Sequence, residues 1–396
     1  MDLFYLFRLK LQSIMFTRLY LHIPFCQRKC DYCSFVSMQA NQHSIEDYVV
    51  TLLEEMRLVR ATYGAGDGID SIYFGGGTPS QLSPHQIARL LEQSSLLFKW
   101  KARPEITLEA NPGTVDAQRL ADFHAAGINR LSLGVQSFDN QLLSRLGRIH
   151  TEQQVVNTVS AARMAGFDNL GIDLIHSLPG QTLDMWRSDL ARALQCETDH
   201  ISIYGLTIEE GTPFALRYTE ESPLLADEDL SAAMFETADT LLTAAGYEHY
   251  EIANYARHGF RSRHNSGYWK RDGYLGLGIA AHSLLRDETC DVRFSTTSDL
   301  DEYTTAINGG ILPHHDTISL SREEAMAEFM YLGLRLKEGI EFREFESNFG
   351  CSPLKIYAAT FDLLSRAGLL TVDKTSIKLT LRGMLLSNQV FSRFLP

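Results

Sequence analysis

The sequence predicts an α/β protein: an open, partial (β/α)6 barrel followed by a C-terminal, mainly helical, winged-helix-like domain. Three observations predict it. Between residues 17 and 225, short β-branched or apolar runs alternate six times with helical stretches, the pattern of a parallel sheet with crossover helices. The unusual residues gather just beyond the C-terminal end of each run, the face on which parallel α/β barrels build active sites. Six strands are too few to close an eight-stranded barrel, so the barrel stays partial. From about residue 226 the alternation stops, and the chain closes with helix, helix, Gly368, strand, turn, strand, helix.

The first strand is expected over Arg18–Ile23, followed by a helix capped by Ser44 with Asp47 three residues on. Ser71–Phe74 is the second strand, and its helix starts at the cap Ser83 with Pro84 in the first position. Glu105–Glu109 is the third, with a helix from about Asp116 to Gly127. Arg130–Leu133 is the fourth, with a helix from Thr151 to Gly166. Asn169–Ile175 is the fifth, with a helix from Thr182, and His200–Tyr204 is the sixth. A long helix over Asp227–Ala245 leads to a strand at Tyr247–Ile252 and an aromatic, glycine-rich loop region to about 285. Short strands are expected at Leu370–Val372 and Ile377–Leu379. The partition is therefore 1–16, an N-terminal extension; 17–225, the partial barrel; 226–298, a connecting region with a His-Asn-x-x-Tyr-Trp loop; and 299–396, the winged-helix-like domain. Met15, just before the first strand, is a second candidate for the start of translation.

The 396 residues are 44% hydrophobic and 21% charged, and the formal net charge of -13 argues against general binding to nucleic acid or anionic lipid. The stretch MDLFYLFRLKLQSIMF is too short to span a bilayer, is broken by Arg8 and Lys10, and lacks the layout of a secretory signal. Six cysteines in a chain this long do not make a disulfide framework. Cys196, Cys290 and Cys351 stand alone, which fits a reducing cytoplasm.

Cys26, Cys30 and Cys33 are spaced C-x3-C-x2-C, one short of the four thiolates that usually hold an iron–sulfur cluster. A [4Fe–4S] cluster on three thiolates leaves one iron open to a small chelating ligand, such as the carboxylate and amine of S-adenosylmethionine (SAM). Zinc bound with His22 or His43 as a fourth ligand is the alternative. Beyond the second strand lies Gly75-Gly76-Gly77-Thr78-Pro79, where backbone can approach a ligand closely. It is neither a G-x-G-x-x-G fingerprint nor a P-loop.

The stretches YLHIPFC, FGGGTP, LEANPG, LGVQSF, LIHSLPGQT and LTLRGMLLSNQVF resemble one subgroup of the radical SAM family from Leu19 to Phe394. That subgroup holds the oxygen-independent coproporphyrinogen III oxidases and the HemW-type haem chaperones. The resemblance implies a radical SAM barrel in which Cys26, Cys30 and Cys33 bind the [4Fe–4S] cluster, Tyr20 and Tyr32 flank SAM, and Gly76, Gly77 and Thr78 meet its methionine amino end. It implies that Arg148 pairs with the SAM carboxylate, that Glu109, Gln136 and Asp173 divide the amine and ribose hydroxyls, and that Gly205 and His282 lie near the adenosine. In the family the cluster passes an electron to the sulfonium and releases a 5′-deoxyadenosyl radical.

Two features separate this chain from the oxidases. Their pattern has a fourth cysteine two residues after the third, where this chain has Phe35. The chain also carries His264-Asn265-Ser266-Gly267-Tyr268-Trp269, which resembles the motif of the chaperone branch. Histidine is a common axial haem ligand, so His264 and Trp269 are the candidates for binding haem, with His249, His258 and His282 as rivals. The resemblance thus implies a cytoplasmic haem chaperone that delivers haem to acceptors such as respiratory haem proteins. It also admits a homodimer and peripheral contact with a membrane. The enzymatic alternative is oxidative decarboxylation of coproporphyrinogen III propionates to vinyl groups.

Overall fold

The structure, a computed structural model, describes residues 14–39, 41–219, 221–287 and 291–396. Cys290 and most of the N-terminal extension lie outside the described residues. Six parallel strands stand side by side in chain order: β1 (Arg18–Ile23), β2 (Ile69–Gly76), β3 (Trp100–Ala110), β4 (Arg130–Gln136), β5 (Leu170–His176) and β6 (His200–Gly205). Four of the five expected crossover-helix caps or first residues hold in place. Ser83 closes a capping box with Gln86, and Asp116, Thr151 and Thr182 cap the helices Ala117–Ala125, Glu152–Met164 and Leu183–Gln195. The first crossover helix differs: it spans Gln42–Tyr63, and its cap is Asn41, whose side chain accepts from the Ser44 amide. Ser44 is the third helical residue.

The strands are two-faced. Leu19, Leu21, Ile72, Phe74, Leu108, Leu131, Leu133, Ile172, Leu174 and Ile201 are fully buried in one large core under the helices. The opposite, concave face carries Arg18, Tyr20, His22, Ser71, Glu105, Glu109, Ser132, Asp173 and Ser202. A parallel sheet covered on both sides usually reads as apolar throughout. Here the alternation of side chains makes the inside of the partial barrel polar.

The sheet does not end at β1 and β6. Past β6 it continues through β8 (Asn254–Ala256) to β7 (Glu248–Glu251), both antiparallel. Past β1 it continues through β9 (Tyr274–Leu277), β10 (His282–Arg286), β11 (Asp291–Thr296) and β12 (His314–Leu320). Among the described residues the sheet therefore has twelve strands, and it stays open because β1 and β6 pair outward rather than with each other. The expected loop region to 285 thus contains strands, and β12, beyond residue 299, belongs to the same sheet. Phe16, assigned to the extension, is fully buried in the main core.

The His-Asn-x-x-Tyr-Trp segment is not a loop either. It forms the helix Arg263–Trp269, capped by Ser262. That helix lies across the N-terminal end of the barrel. The amides of Arg263 and His264 donate to the Glu105 carboxylate at 3.1 and 3.0 Å. A Cβ at Gly267 would fall 1.7–2.4 Å from atoms of the Arg18 guanidinium, so glycine is the residue that lets Arg18 pass.

At the C-terminus a small sheet orders β13 (Ile340–Glu341), β15 (Ser376–Leu379) and β14 (Leu370–Val372), with the helices Phe342–Phe349, Ala358–Arg366 and Leu381–Leu385 around it. Phe342, Phe345, Phe361, Leu364, Ile377 and Leu379 belong to a core separate from that of the barrel. The winged-helix-like order is present, with β13 as an added strand. No helix among the described residues is long and apolar enough to cross a membrane.

Candidate functional site

Connections leaving the C-terminal ends of β1 to β6 enclose a cavity of about 480 Å³. Cys26, Cys30 and Cys33 stand at it as free, half-buried thiols. Tyr32, Gly76, Gly77, Thr78, Glu109, Gln136, Arg148, Asp173 and Gly205 also line it. Fourteen sequence positions are named as cluster or SAM candidates, and all but Tyr20 and His282, spread over nearly 180 residues, meet at this one cavity.

Those two sit elsewhere. Tyr20 lies one layer away: its ring stacks on Tyr73 at 6.2 Å and its hydroxyl meets His22 Nδ1 at 3.2 Å. His282 is exposed at the start of β10, on the far side of β9 from β1.

The cysteine loop hangs on His22. Nε2 of this buried imidazole is 2.9 Å from the carbonyl of Val36, just past the third cysteine. That nitrogen must carry the hydrogen, so Nδ1 accepts from Tyr20. Both nitrogens are thereby used, and burial holds the ring below its ordinary pKa, so His22 offers no fourth position to zinc. His43 is highly exposed and paired with Asp47. The same imidazole explains the glycine run. A Cβ at Gly76 would sit 2.6–2.9 Å from the His22 ring, and one at Gly77 2.9–3.0 Å from backbone atoms of Ile23 and Phe25. The two glycines are needed for packing and also present bare backbone to the cavity.

Arg148 reaches the cysteines from the other side. Nη1 is 3.4 Å from Cys30 Sγ, and Nη2 donates to Asn111 Oδ1 at 2.6 Å and to the Gly134 carbonyl. Asn111 in turn donates to Thr78 Oγ1 at 3.0 Å, and Thr78 Oγ1 contacts Cys26 Sγ at 3.5 Å. Asn111 therefore couples the arginine to the glycine run, a role the sequence reading did not assign although the residue stands in the quoted LEANPG. Tyr204, noted only as a strand end, lines the cavity too.

The cavity floor is acidic. Glu109 accepts from the Tyr73 hydroxyl at 2.7 Å, and burial raises its carboxyl from 4.5 to about 7. Asp173, held by Ser132 at 3.2 and 3.3 Å, is raised by burial as well. Two buried polar atoms at the cavity residues, Gln136 Oε1 and Arg148 Nε, have no partner. Gln136 adopts a positive φ of 69° to face this way, a conformation uncommon outside glycine. Orphaned buried polar atoms call for an unseen partner. Three thiols, a guanidinium, bare glycine backbone and two carboxylates fit an open-iron cluster with a zwitterionic, cationic ligand.

In this arrangement His264 has no ring nitrogen free for haem iron. It is only 1% exposed. Nδ1 meets Ser71 Oγ at 2.9 Å and Nε2 meets the Tyr268 hydroxyl at 2.7 Å. Burial lowers its pKa to about 3. Trp269 is no open aromatic face, because the Arg335 guanidinium lies 4.2 Å from its ring centroid. Of the rivals, His249 is bonded to Asp239 at 2.7 Å and stacked on Tyr255, and exposed His258 contacts Glu248 at 3.2 Å.

Fold and site together define a radical SAM protein, and comparison with known proteins agrees. The Radical SAM superfamily model matches residues 20–193, and the HemN C-terminal domain model matches residues 320–386. The heme chaperone HemW of Lactococcus lactis subsp. lactis is 37% identical over 95% of this chain and 96% of its own length. The heme chaperone HemW of Escherichia coli is 42% identical over 67% of this chain and 69% of its own. The structure of Escherichia coli coproporphyrinogen III oxidase, HemN, shares the fold, with a TM-score of 0.85 at 24% identity over 98% of this chain and 92% of that one. The chain belongs to the radical SAM superfamily and, within it, to the family of HemW-type haem chaperones and coproporphyrinogen III oxidase-like proteins. Membership implies a [4Fe–4S] cluster and SAM.

Proposed function

We propose that this chain is a haem chaperone: it binds haem and delivers it to acceptor haem proteins, such as respiratory enzymes, in the cytoplasm. The observation that carries this reading is relatedness over nearly the whole chain to proteins named as haem chaperones. Phe35 supports it. This side chain stands where the oxidase pattern has its fourth cysteine, is 66% exposed, and lines the cavity mouth. It offers an apolar face and no thiol.

In this reading Cys26, Cys30 and Cys33 hold the cluster and SAM fills the cavity, with Arg148 at its carboxylate and Gly76, Gly77 and Thr78 at its methionine end. The bound cofactors supply one-electron chemistry at the sulfonium. Tyr32, Gln136 and Gly205 shape the rest of the cavity, and Glu109 and Asp173 face the ligand's positive charge and hydroxyls. The test is anaerobic reconstitution of the full chain, followed by parallel assays for haem binding and coproporphyrinogen III decarboxylation. Stable haem binding without multiple-turnover decarboxylation is expected. Sustained decarboxylation with no haem affinity would instead establish the oxidase.

The raised carboxyl of Glu109 gives a pH test of the SAM site. Ligand-free, the folded chain keeps a proton on Glu109 between about pH 4.5 and 7, where the unfolded chain has lost it. This group therefore favours the folded state at low pH, and that contribution declines as pH rises to about 7. A cationic ligand requires the ionised form and must expel the proton. SAM affinity should rise by up to roughly tenfold per pH unit below 7 and level off above it. Titration calorimetry across this range checks the slope, and Glu109→Gln should flatten it. An unchanged slope in that variant places the titrating group elsewhere.

A further inference from the structure

The concave face of the sheet extends sideways from the cavity. Tyr204 lines the cavity, and Ser202, two residues before it on β6, shares its face. Ser202 pairs with Asn254 of β8, and Asn254 pairs with Glu251 of β7, so Glu251 faces the same way. Across from these strands the C-terminal part of the chain inserts Arg335. Its backbone is pinned to β7: the Arg335 carbonyl accepts from Ile252 at 3.1 Å, and Lys337 donates to the Tyr250 carbonyl at 3.0 Å.

The guanidinium of Arg335 lies between two rings, 4.2 Å from the Trp269 centroid and 5.8 Å from that of Phe391. It makes no hydrogen bond or ion pair among the described residues, and its Nε is buried without a partner. Three polar atoms around it share this state: Trp269 Nε1, Glu251 Oε2 and Asn254 Oδ1. A guanidinium whose Nε is buried without an acceptor is unfavourable unless something compensates it. Glu251 lowers that cost from a distance, but its other oxygen is spent on Ala253 and Asn254. Of these atoms, Glu251 Oε2 and Asn254 Oδ1 are acceptors that lack donors, whereas Arg335 Nε and Trp269 Nε1 are donors that lack an acceptor. For those two donors the fitting group is a carboxylate, which a planar guanidinium binds bidentately.

We propose that Arg335, backed by Trp269, is the receptor for a propionate carboxylate of haem, at the side of the sheet next to the Tyr204 wall of the cavity. The inference rests on the haem-chaperone reading. Trp269, stripped of its expected role as an open aromatic face, holds the guanidinium flat and adds its indole N–H beside it.

The test uses haem and its dimethyl ester, whose propionates are blocked. Both are titrated into the reconstituted full chain, its Arg335→Met and its Arg335→Lys variants. The wild type should prefer free-acid haem by about tenfold or more, the range of a charge-assisted contact. Arg335→Met should bind both forms alike, with the affinity for the ester unchanged, while Arg335→Lys keeps part of the preference. The iron–sulfur absorbance and SAM affinity of Arg335→Met should match the wild type, which excludes misfolding and excludes the SAM carboxylate as the ligand. If Arg335→Met does not fold, Trp269→Phe, which removes only the indole N–H donor and keeps a ring, should still narrow the preference severalfold. A wild type that binds both forms equally, or variants that keep the full preference, would overturn the proposal while leaving the chaperone reading intact. A wild type that binds neither would overturn the chaperone reading itself.

Discussion

Replacing Cys30 by alanine should abolish the iron–sulfur absorbance near ~400 nm that is expected of this cofactor class after anaerobic reconstitution, whereas Cys196→Ala should leave it at wild-type intensity. The asymmetry follows from position. Cys30 lies at the centre of the loop, with its sulfur 3.4 Å from Arg148, at the same cavity as Cys26 and Cys33. A cluster already one thiolate short has no spare ligand nearby, since His22 is bonded at both ring nitrogens. Cys196 caps the helix Leu183–Gln195 and packs against the main core. Equal loss in both variants would show that the cysteine assignment is wrong.

Glu328→Ala should destabilise the fold by about 3–5 kcal/mol, the cost of leaving buried charges unpaired. Glu328 sits in the helix Arg322–Gly333, which leads into the C-terminal unit. Its carboxylate accepts from Arg271 Nε at 2.9 Å and from Arg293 Nε and Nη2 at 2.6 and 3.0 Å. Arg271 is 2% exposed and also pairs with Asp291 at 2.6 Å. Among the described residues, removal of Glu328 takes every anion from Arg293 and one of two from Arg271. Urea unfolding followed by circular dichroism measures the loss. A shift under 1 kcal/mol would mean that the arginines find other partners. The double variant Glu328→Ala, Arg293→Met should recover part of the loss, because it removes the stranded charge as well.

The six parallel strands and their helices were legible because each carries its own punctuation. Ser83-Pro84, Asp116, Thr151 and Thr182 mark starts, and Gly127 and Gly166 mark stops, all within a few residues of the element they bound. The outer strands lack such marks. β12 is exposed along five of its seven residues, so no buried alternation reveals it, and its pairing with β11 joins residues as far apart as Asp291 and Leu320. The residues that share the cavity, on the cysteine loop and at the strand ends, were legible for the same reason as the strands. His264 was not, because its partners are set by topology: Ser71 is 193 residues distant and Glu105 is 159. A histidine followed by aromatics reads as a ligand in one dimension and lies buried, with both ring nitrogens bonded, in three. Arg335 was invisible for the opposite reason, since what singles it out is a missing partner.

The neck of the cysteine loop bears on how the three thiols stay together. Cys26 N donates to the Met38 carbonyl at 2.9 Å and Met38 N donates to the Pro24 carbonyl at 2.7 Å, so backbone, together with the His22 bond to Val36, ties the loop shut around its three thiols. Bringing together the ends of a loop of a dozen residues costs about 2 kcal/mol of chain entropy, and these bonds offset that cost from within the polypeptide. The spacing of the thiols is thus a property of the neck: a residue inserted at the tip of the loop should disturb one thiol, whereas a broken neck should scatter all three at once.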